Sequence, residues 1–342
     1  MKIWFDILTP KHYLFFEYFI KKLQKEYKIL STSRRYEQVN GITRFGSVNP
    51  ILIGKHGGKN NIEKLLSSLE RSKALTKRVE KFRPDLLISF CSPEASRVAF
   101  GLGIPHIAFS DSPHANAVMR LSLPYTTKLL IPWIIPKKDF TKFGIAEKSI
   151  TKYKAIDASI IIKNYKKKKQ KKTNSKKIII IRPEETEAAY IIKKSNTTKV
   201  IQKIIEKFPN EKKIVLSRYK DQSNELKKLF GTRIILYSKP VNGKEFLKNA
   251  DCFVGSGGTM TAESALLGIP TISLNVVPNR IEDFLVKKKI IVRSSNPDKI
   301  SLEVFQALNN IQLINKRKVN AKKILSSFED PYEVLLKTIK SL

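Results

Sequence analysis

A glycine-rich segment in the second half of the chain has residues that could hold a phosphate group. Residues 255–263 are Gly-Ser-Gly-Gly-Thr-Met-Thr-Ala-Glu, between an apolar run at 252–254 and a helix-like run at 264–267. Backbone N–H groups at a helix start favour an anion, and glycines let a phosphate approach the main chain closely. Glu263 lies about one helical turn in, where a carboxylate can reach two ribose hydroxyls. The segment therefore predicts a nucleotide-diphosphate site. Its candidate phosphate-binding residues are Ser256, Gly257, Gly258 and Thr259.

Two arginines add to this prediction. Arg182 and Arg218 each end a predicted strand in the same half of the chain, and the forked donors of a guanidinium suit a pyrophosphate. Two alternatives stay open. A glycine-rich strand–helix turn is common in α/β folds and need not bind anything. The arginines could instead form salt bridges with the acids at 184–187.

The histidines are concentrated where an acid or a base would be expected. Three of the four lie in loops that follow predicted strands, and ligands bind beyond the carboxyl ends of strands in open parallel sheets. Histidine is also the side chain best suited to proton transfer near neutral pH. His12, His56 and His114 are therefore acid–base candidates, with Asp111 as a carboxylate partner. For each histidine the alternative is a loop residue that hydrogen-bonds the backbone, and His106, at the start of a strand, is expected to be structural.

The elements that must position these residues alternate regularly along the chain. Continuous Val/Ile/Leu runs alternate with amphipathic stretches, a pattern that predicts parallel sheets covered by helices on both faces. The predicted fold class is α/β, with two doubly wound Rossmann-like domains whose sheets face a central cleft. The run at 129–136 contains two prolines, so it is expected at a sheet edge at best, and a helix is predicted at 33–40. The predicted strands are 3–8, 28–32, 51–54, 86–90, 106–110, 129–131, 178–182, 214–218, 234–237, 252–255, 271–274 and 290–292.

The same pattern predicts four segments. Residues 1–155 form an N-terminal Rossmann-like domain that would carry the acceptor and acid–base residues, and 178–328 form the nucleotide-binding domain. The Lys-rich stretch at 156–177 is too charged to pack, so it is expected to be a solvated linker or a surface hairpin. A helix at 329–342 has an apolar stripe that could pack back on the first domain.

Composition limits the partners of the protein. The 342 residues carry a net charge of +35, mostly from lysine. Three explanations of this charge are open: codon bias of an AT-rich genome, attraction to an anionic membrane surface, and nucleic-acid binding. Nucleic acid is the least favoured partner, because proteins that bind it tend to use Arg interleaved with aromatic residues.

Cys91 and Cys252 lie in strand-like runs, as expected of buried thiols in a reducing cytoplasm. No apolar run reaches the length of about 18 residues that a membrane span needs, which leaves peripheral attachment at the inner membrane face as the membrane alternative.

The glycine segment resembles the donor-nucleotide motif of the GT-B glycosyltransferases. Ser256-Gly257-Gly258, then Glu263 and the Leu-Gly-Ile-Pro at 267–270, are most similar to the N-acetylglucosaminyltransferase that forms lipid II in peptidoglycan synthesis. In that enzyme a Ser-Gly pair and a Glu at this spacing hold UDP, with the Glu on the ribose. The UDP-N-acetylglucosamine 2-epimerases share the architecture and a similar Ser-Gly-Gly, but their acids follow it more closely.

An uncharacterised prokaryotic family, common in archaea and related to these enzymes, resembles the chain from end to end. The resemblance covers both halves, and it implies the GT-B-like fold more firmly than any one reaction. The segments that carry it are 6–11 (Asp-Ile-Leu-Thr-Pro-Lys), 54–58 (Gly-Lys-His-Gly-Gly), 97–105 (Arg-Val-Ala-Phe-Gly-Leu-Gly-Ile-Pro) and 255–261 (Gly-Ser-Gly-Gly-Thr-Met-Thr).

The resemblance implies a glycosyltransferase that takes a nucleotide diphosphate-sugar, with a UDP-sugar favoured, and an acceptor that is a glycan, a lipid or a protein. A base among His12, Asp111 and His114 would take the acceptor proton, and helix amides would stabilise the departing UDP. No metal and no cofactor beyond the nucleotide-sugar are expected, because no strand-end loop has an Asp-x-Asp pair. A UDP-sugar 2-epimerase is the first alternative, and a non-catalytic basic binding protein is the second.

Overall fold

Two parallel β-sheets organise the chain, one in each of two units. The first unit comprises Met1–Asp157 together with Glu329–Leu342, and the second comprises Ala158–Phe328. The computed structural model describes residues 1–35, 41, 43, 46–58, 60–163, 176–184, 197–238, 243–274 and 279–342.

The first unit contains a seven-stranded parallel sheet. Its strands are β1 (Lys2–Ile7), β2 (Lys28–Arg35), β3 (Ile51–Lys55), β4 (Leu86–Ser89), β5 (His106–Phe109), β6 (Lys128–Pro132) and β7 (Ile150–Tyr153). Their spatial order is β3-β2-β1-β4-β5-β6-β7. The central strand β1 is buried from Ile3 to Ile7, because helices cover both faces of a parallel sheet.

Helices follow the strands of this unit in the usual alternation. They are α1 (Pro10–Leu23), α2 (Asn61–Phe82), α3 (Pro93–Gly101), α4 (Asn116–Ser122) and α5 (Lys138–Thr141). Helix α1 begins at Thr9, whose side chain accepts the His12 N–H, and Pro10 occupies its first turn, as expected of a capped start. The aromatic side chains of Phe15 and Phe16 of α1 are fully buried, so these rings belong to the hydrophobic core.

The second unit repeats the plan with six strands. It contains α6 (Asp157–Lys163, of which Asp157 still belongs to the first unit), β8 (Ile178–Arg182), α7 (Thr197–Lys207), β9 (Lys212–Leu216), α8 (Lys220–Phe230), β10 (Ile235–Tyr237), α9 (Gly243–Asn249), β11 (Cys252–Gly255), α10 (Thr259–Leu266), β12 (Thr271–Ser273), α11 (Arg280–Lys287), β13 (Ile291–Arg293), α12 (Pro297–Asn309) and α13 (Ile311–Ser326). The order of the strands is β10-β9-β8-β11-β12-β13, all parallel. The two sheets with their alternating helices confirm the predicted α/β, GT-B-like fold class.

The last helix, α14 (Pro331–Lys340), belongs to the first unit. Asp330 caps its start and also accepts a hydrogen bond from the Tyr18 hydroxyl of α1. The Lys22 ammonium lies 3.4 Å from the Asp330 carboxylate and 4.2 Å from the centre of the Tyr332 ring. These contacts hold α14 against the exposed side of α1.

Three details of the secondary structure differ from the sequence prediction. Strand β6 is not an edge strand, because β7, which the prediction missed, pairs with it. Pro132 is the last residue of β6, so it does not interrupt the strand. The predicted helix at 33–40 is wrong at its start, since β2 continues to Arg35, and 36–40 lie outside the described residues. The lysines at 164–175 also lie outside them.

Candidate functional site

The glycine turn of the second unit leaves the start of α10 open. Gly257 and Gly258 follow β11 with φ of 103° and 84°, a region that favours glycine. Gly258 is the N-cap of α10, and no side chain caps this helix. The first N–H groups of a helix have no partner within it, so the amides that begin at Thr259 can bind an anion.

Ser256, Arg182 and Arg218 converge beside this turn, at the carboxyl ends of β11, β8 and β9. The Ser256 N–H donates to the Arg182 carbonyl at 3.2 Å, and the Ser256 hydroxyl donates to the Pro183 carbonyl at 3.3 Å. Arg218 Nε donates to the same Pro183 carbonyl at 3.4 Å. Arg182 Nη1 donates to the carbonyls of Leu216 and Ser217 at 2.8 and 2.9 Å, so part of its guanidinium ties β8 to β9.

Two buried glutamates flank the glycine turn. Glu263 lies in the second turn of α10 with 4% of its surface exposed. Glu282 of α11, 3% exposed, places Oε2 2.9 Å from the position that a Cβ on Gly257 would take. Its other oxygen, Oε1, accepts from Arg293 Nε at 2.9 Å. Burial raises the pKa of Glu282, although Ser273 and Arg293 partly oppose this.

The first unit brings Lys11, Asp111 and Asp157 into one ionic cluster. Lys11 Nζ lies 2.6 Å from Asp111 Oδ1 and 2.7 Å from Asp157 Oδ2. The Tyr153 hydroxyl at the end of β7 donates to Asp157 Oδ1 at 3.1 Å, and the Ser112 hydroxyl donates to Asp111 Oδ1 at 2.7 Å. The cluster therefore joins groups that follow β1, β5 and β7 at the carboxyl edge of the sheet.

The pKa values of the two carboxyl groups in this cluster are shifted in opposite directions. Burial opposes ionisation of Asp111, but Lys11 and the Ser112 hydroxyl outweigh it and lower the pKa of Asp111 to about 2. Burial, reinforced by the negative charge of Asp111, raises the pKa of Asp157 to about 6 in spite of Lys11. The two carboxylates in turn raise the pKa of Lys11 despite its burial. Two carboxyl groups with separated pKa values are the usual arrangement of an acid–base pair.

The three candidate histidines lie in different surroundings. The His12 ring stacks on Phe90 with centroids 4.7 Å apart, and burial together with Lys11 lowers its pKa well below the usual value. His114 is exposed, and its pKa is lowered by partial burial. His56 Nδ1 accepts the Gly58 N–H at 3.1 Å, a loop contact. Coulombic coupling to Lys11 and Asp111 links His12 and His114 to the ionic cluster.

A buried ion pair supports the same edge of the sheet. Asp6 of β1 is fully buried and accepts hydrogen bonds from Arg71 Nη2, Thr32 Oγ1 and Ser92 Oγ, each at 2.6 Å. Arg71, 1% exposed, also lies 3.4 Å from Glu94. Asp6 and Arg71 thus connect β1, β2, α2 and the start of α3.

Within the described ranges, no group of three or more His, Cys, Asp or Glu side chains is arranged to hold a metal ion. No helix in the described part of the chain combines the length and the apolar character that crossing a membrane requires.

Comparison with known proteins places the chain in a family. Residues 1–341 match the family described as protein of unknown function DUF354. The chain belongs to this family. An uncharacterised protein of Methanocaldococcus jannaschii, MJ0665, is 27% identical over 317 residues, which are 86% of this chain and 88% of that protein.

Solved structures share the fold of this DUF354 protein. UDP-GlcNAc 2-epimerase of Neisseria meningitidis, bound to UDP-GlcNAc, matches all of both chains with a TM-score of 0.72 and 16% identity. The glycotransferase of kitacinnamycin covers 95% of each chain with a TM-score of 0.62 and 14% identity. These matches confirm the resemblance to a family related to 2-epimerases and GT-B glycosyltransferases. Because the identities are only 16% and 14%, the matches establish the fold alone.

Three residues of the candidate site escaped the sequence analysis. Lys11 entered only as the last residue of the segment 6–11, which carries the family resemblance, and Asp157 fell at the start of the predicted linker. Glu282 looked like an ordinary helix acid. One pattern could have revealed Asp157: it directly precedes the apolar run at 158–162. An acid next to such a run indicates that the segment packs and that the carboxylate is held in place.

Proposed function

We propose that this DUF354 protein binds a UDP-sugar on its C-terminal unit and transfers the sugar to a hydroxyl of an acceptor. The observation that carries the proposal is the uncapped start of α10 behind Gly257 and Gly258, with the buried carboxylate of Glu263 one turn away. The family's structural neighbours include a UDP-GlcNAc 2-epimerase and a glycotransferase.

The proposed site for the sugar donor rests on the N–H groups and the positive charge around the glycine turn. The amides at Gly258 and Thr259 would bind the diphosphate, and Ser256 would support them from the preceding residue. Arg218 would add positive charge for the pyrophosphate, while Arg182 would mainly hold the ends of β8 and β9 in place. When UDP departs, its growing negative charge would be stabilised by these donors. We propose no cofactor besides the nucleotide-sugar.

The acceptor half follows from the ionic cluster of the N-terminal unit. Asp111 has 14% of its side chain exposed, whereas Asp157 has 2%, so Asp111 is the carboxylate that an acceptor hydroxyl can reach. Lys11 and Asp157 would set its acidity and position. A carboxylate pair that releases its second proton near pH 6 can accept a hydroxyl proton at neutral pH.

The first experiment is calorimetric titration of UDP, with GDP and ADP as nucleotide controls. We expect UDP to bind, and the Glu263→Gln variant to bind it on the order of tenfold or more weakly, because a charged hydrogen bond contributes about 1.5–3 kcal/mol. Failure of all three nucleotides to bind would exclude the proposal and leave a non-catalytic role for the basic chain.

A 2-epimerase is the second candidate, and one observation favours it. Inversion at C2 with elimination of UDP requires a group that removes the C2 proton and a group that returns it. Asp111 and Glu94 are acids that follow predicted strands in the N-terminal unit. Glu94 is engaged with Arg71, but Asp157 joins Asp111 at Lys11, and the pair could serve both steps.

Proton NMR in D2O separates the two reactions. The protein is incubated with UDP-GlcNAc, with and without candidate acceptors. An epimerase would exchange the C2 proton for deuterium and form the C2 epimer without any acceptor. A transferase would release UDP only with an acceptor and would leave C2 protonated.

A further inference from the structure

Helix α2 has a row of large aliphatic side chains that face solvent. Ile62, Leu65, Leu66 and Leu69 are 69%, 60%, 53% and 59% exposed. Their spacing of i, i+3, i+4 and i+7 puts them on one face over the first two turns. We call these four residues the α2 stripe. Single exposed aliphatic residues are normal on protein surfaces, whereas a contiguous group of four marks an interaction site.

The fold does not need the α2 stripe. The opposite face of the helix packs inward through Ser67, Arg71, Leu75 and Val79, all buried. That face supplies the tertiary contacts of α2, including the hydrogen bond from Arg71 to the Ile53 carbonyl at 3.1 Å. The stripe is therefore additional apolar surface, which costs solubility without contributing to the core.

The stripe lies at the carboxyl edge of the sheet. Helix α2 starts after β3 and the loop that follows Lys55, so its first turns stand at the edge of the sheet where Lys11 and Asp111 also lie. Along the same face, lysines replace the leucines: Lys73 and Lys77 follow Leu69 at intervals of four residues and are exposed. This face of α2 is therefore aliphatic in its first two turns and cationic in the turns that follow.

We propose that the α2 stripe docks the protein on an anionic lipid surface. An interfacial helix places aliphatic side chains below the headgroups and lysines among them. Exposed acids on α2, Glu63, Glu70 and Glu80, partly offset its own lysines, but the whole chain carries +35. A second copy with the same charge would be repelled, whereas an anionic surface would attract the chain at long range.

Vesicle flotation tests the proposal with the full-length protein. The vesicles contain phosphatidylcholine alone or phosphatidylcholine with phosphatidylglycerol. The test variant is Leu65→Gln/Leu69→Gln, and the matched control is Leu229→Gln/Leu302→Gln, which removes two exposed leucines of the other unit (45% and 57% exposed). We expect binding to the anionic vesicles only, weaker at higher salt. The test variant should bind them on the order of tenfold less per leucine removed, and the control should bind like the wild type.

Three results would overturn the proposal. Equal binding by the test and control variants would mean that charge alone attracts the chain. Absence of any binding to anionic vesicles would exclude lipid as the partner. A dimer in light scattering without lipid, lost in the test variant only, would assign the stripe to a second copy. UDP titration of the test variant keeps this inference separate from the proposed function, because nucleotide binding should be unchanged.

Discussion

The Glu282 carboxylate lies against Gly257 so closely that a side chain on this glycine would displace it. Oε2 of Glu282 is 2.9 Å from the position a Cβ would occupy, and φ of Gly257 is 103°. The backbone conformation therefore favours glycine, and a Cβ here would also displace the Glu282 carboxylate, whose other oxygen is held by Arg293. The contact also fixes the start of α11 beside the start of α10, so the two helices frame the proposed phosphate site together.

We expect Gly257→Ala to destabilise the protein and to abolish UDP binding. Positive φ at a non-glycine residue costs about 1–2 kcal/mol, and the contact with Glu282 adds to this cost. The matched control is Gly231→Ala, which also has positive φ (52°) but has open space around its Cβ. Denaturant unfolding and UDP titration measure both effects. If the two variants lose equal stability and both still bind UDP, the contact with Glu282 has no role in shaping the site.

Glu263 is expected to contribute to nucleotide affinity. Loss of its charge in Glu263→Gln should weaken UDP binding by about 1.5–3 kcal/mol, because ribose hydroxyls would lose a charged acceptor. Glu206→Gln, on the exposed face of α7, is the control and should bind UDP like the wild type. Deoxyuridine diphosphate, which lacks the 2′-hydroxyl but keeps the 3′-hydroxyl, adds a second check: Glu263→Gln should weaken its binding less than it weakens the binding of UDP. A larger loss with the deoxy ligand would argue against a ribose contact.

Asp157 is expected to set the pH dependence of the reaction. The carboxylate pair loses its second proton near pH 6, so activity should rise with pH through this value. In Asp157→Asn only Asp111 remains, with a pKa lowered to about 2, and the inflection near pH 6 should disappear. The exposed control Glu147→Gln should keep the wild-type profile. An unchanged inflection in Asp157→Asn would assign it to another group.

The same pKa shift predicts a stability effect that needs no substrate. Burial raises the pKa of Asp157 from 3.8 to about 6, so the folded state holds this proton more tightly than the unfolded state. The stabilisation is complete below pH 4 and is lost as the pH rises through 6. Asp157→Asn should therefore become more stable relative to the wild type over this interval. Urea unfolding at pH 4 and pH 7 measures the difference, and a pH-independent difference would contradict it.

The sequence predicted what is local and missed what the topology brings together. The glycine turn could be predicted because its residues are consecutive, and a strand followed by glycines and a helix start has a known geometry. Lys11 and Asp157 are 146 positions apart in the sequence, and their association depends on β7. That strand was missed because Ile150–Tyr153 has only four residues, two of them polar, so its apolar pattern is too short to recognise.

The sequence also could not indicate which charged side chains are buried. Arg71 sits among the serines and lysines of an amphipathic helix, where an arginine is normally solvated. It is buried because Asp6, 65 residues away, is buried on the facing strand, and the pair satisfies both charges at 2.6 Å. Neither residue alone shows this in the sequence.

Removing Arg71 should therefore cost far more stability than its helix position suggests. Arg71→Met leaves the Asp6 carboxylate buried without its cation, a change that typically costs about 3–5 kcal/mol. The control Arg97→Met, on the exposed side of α3, should change the free energy of unfolding by no more than about 0.5 kcal/mol. Urea unfolding followed by circular dichroism measures both variants.

A double variant separates loss of the ion pair from loss of packing. In Asp6→Asn/Arg71→Met the stranded charge is gone, because asparagine keeps the shape of Asp6. Its side-chain oxygen can accept from Thr32, and its amide can donate to the Ser92 hydroxyl, where Asp6 accepts from both. We expect this variant to recover a large part of the stability that Arg71→Met loses, since replacing both partners of a buried pair is far less costly than removing one. If the double variant is as unstable as Arg71→Met, the cost lies in the lost contacts of the guanidinium with Glu94 and the Ile53 carbonyl, and Asp6 is not the reason that Arg71 is buried.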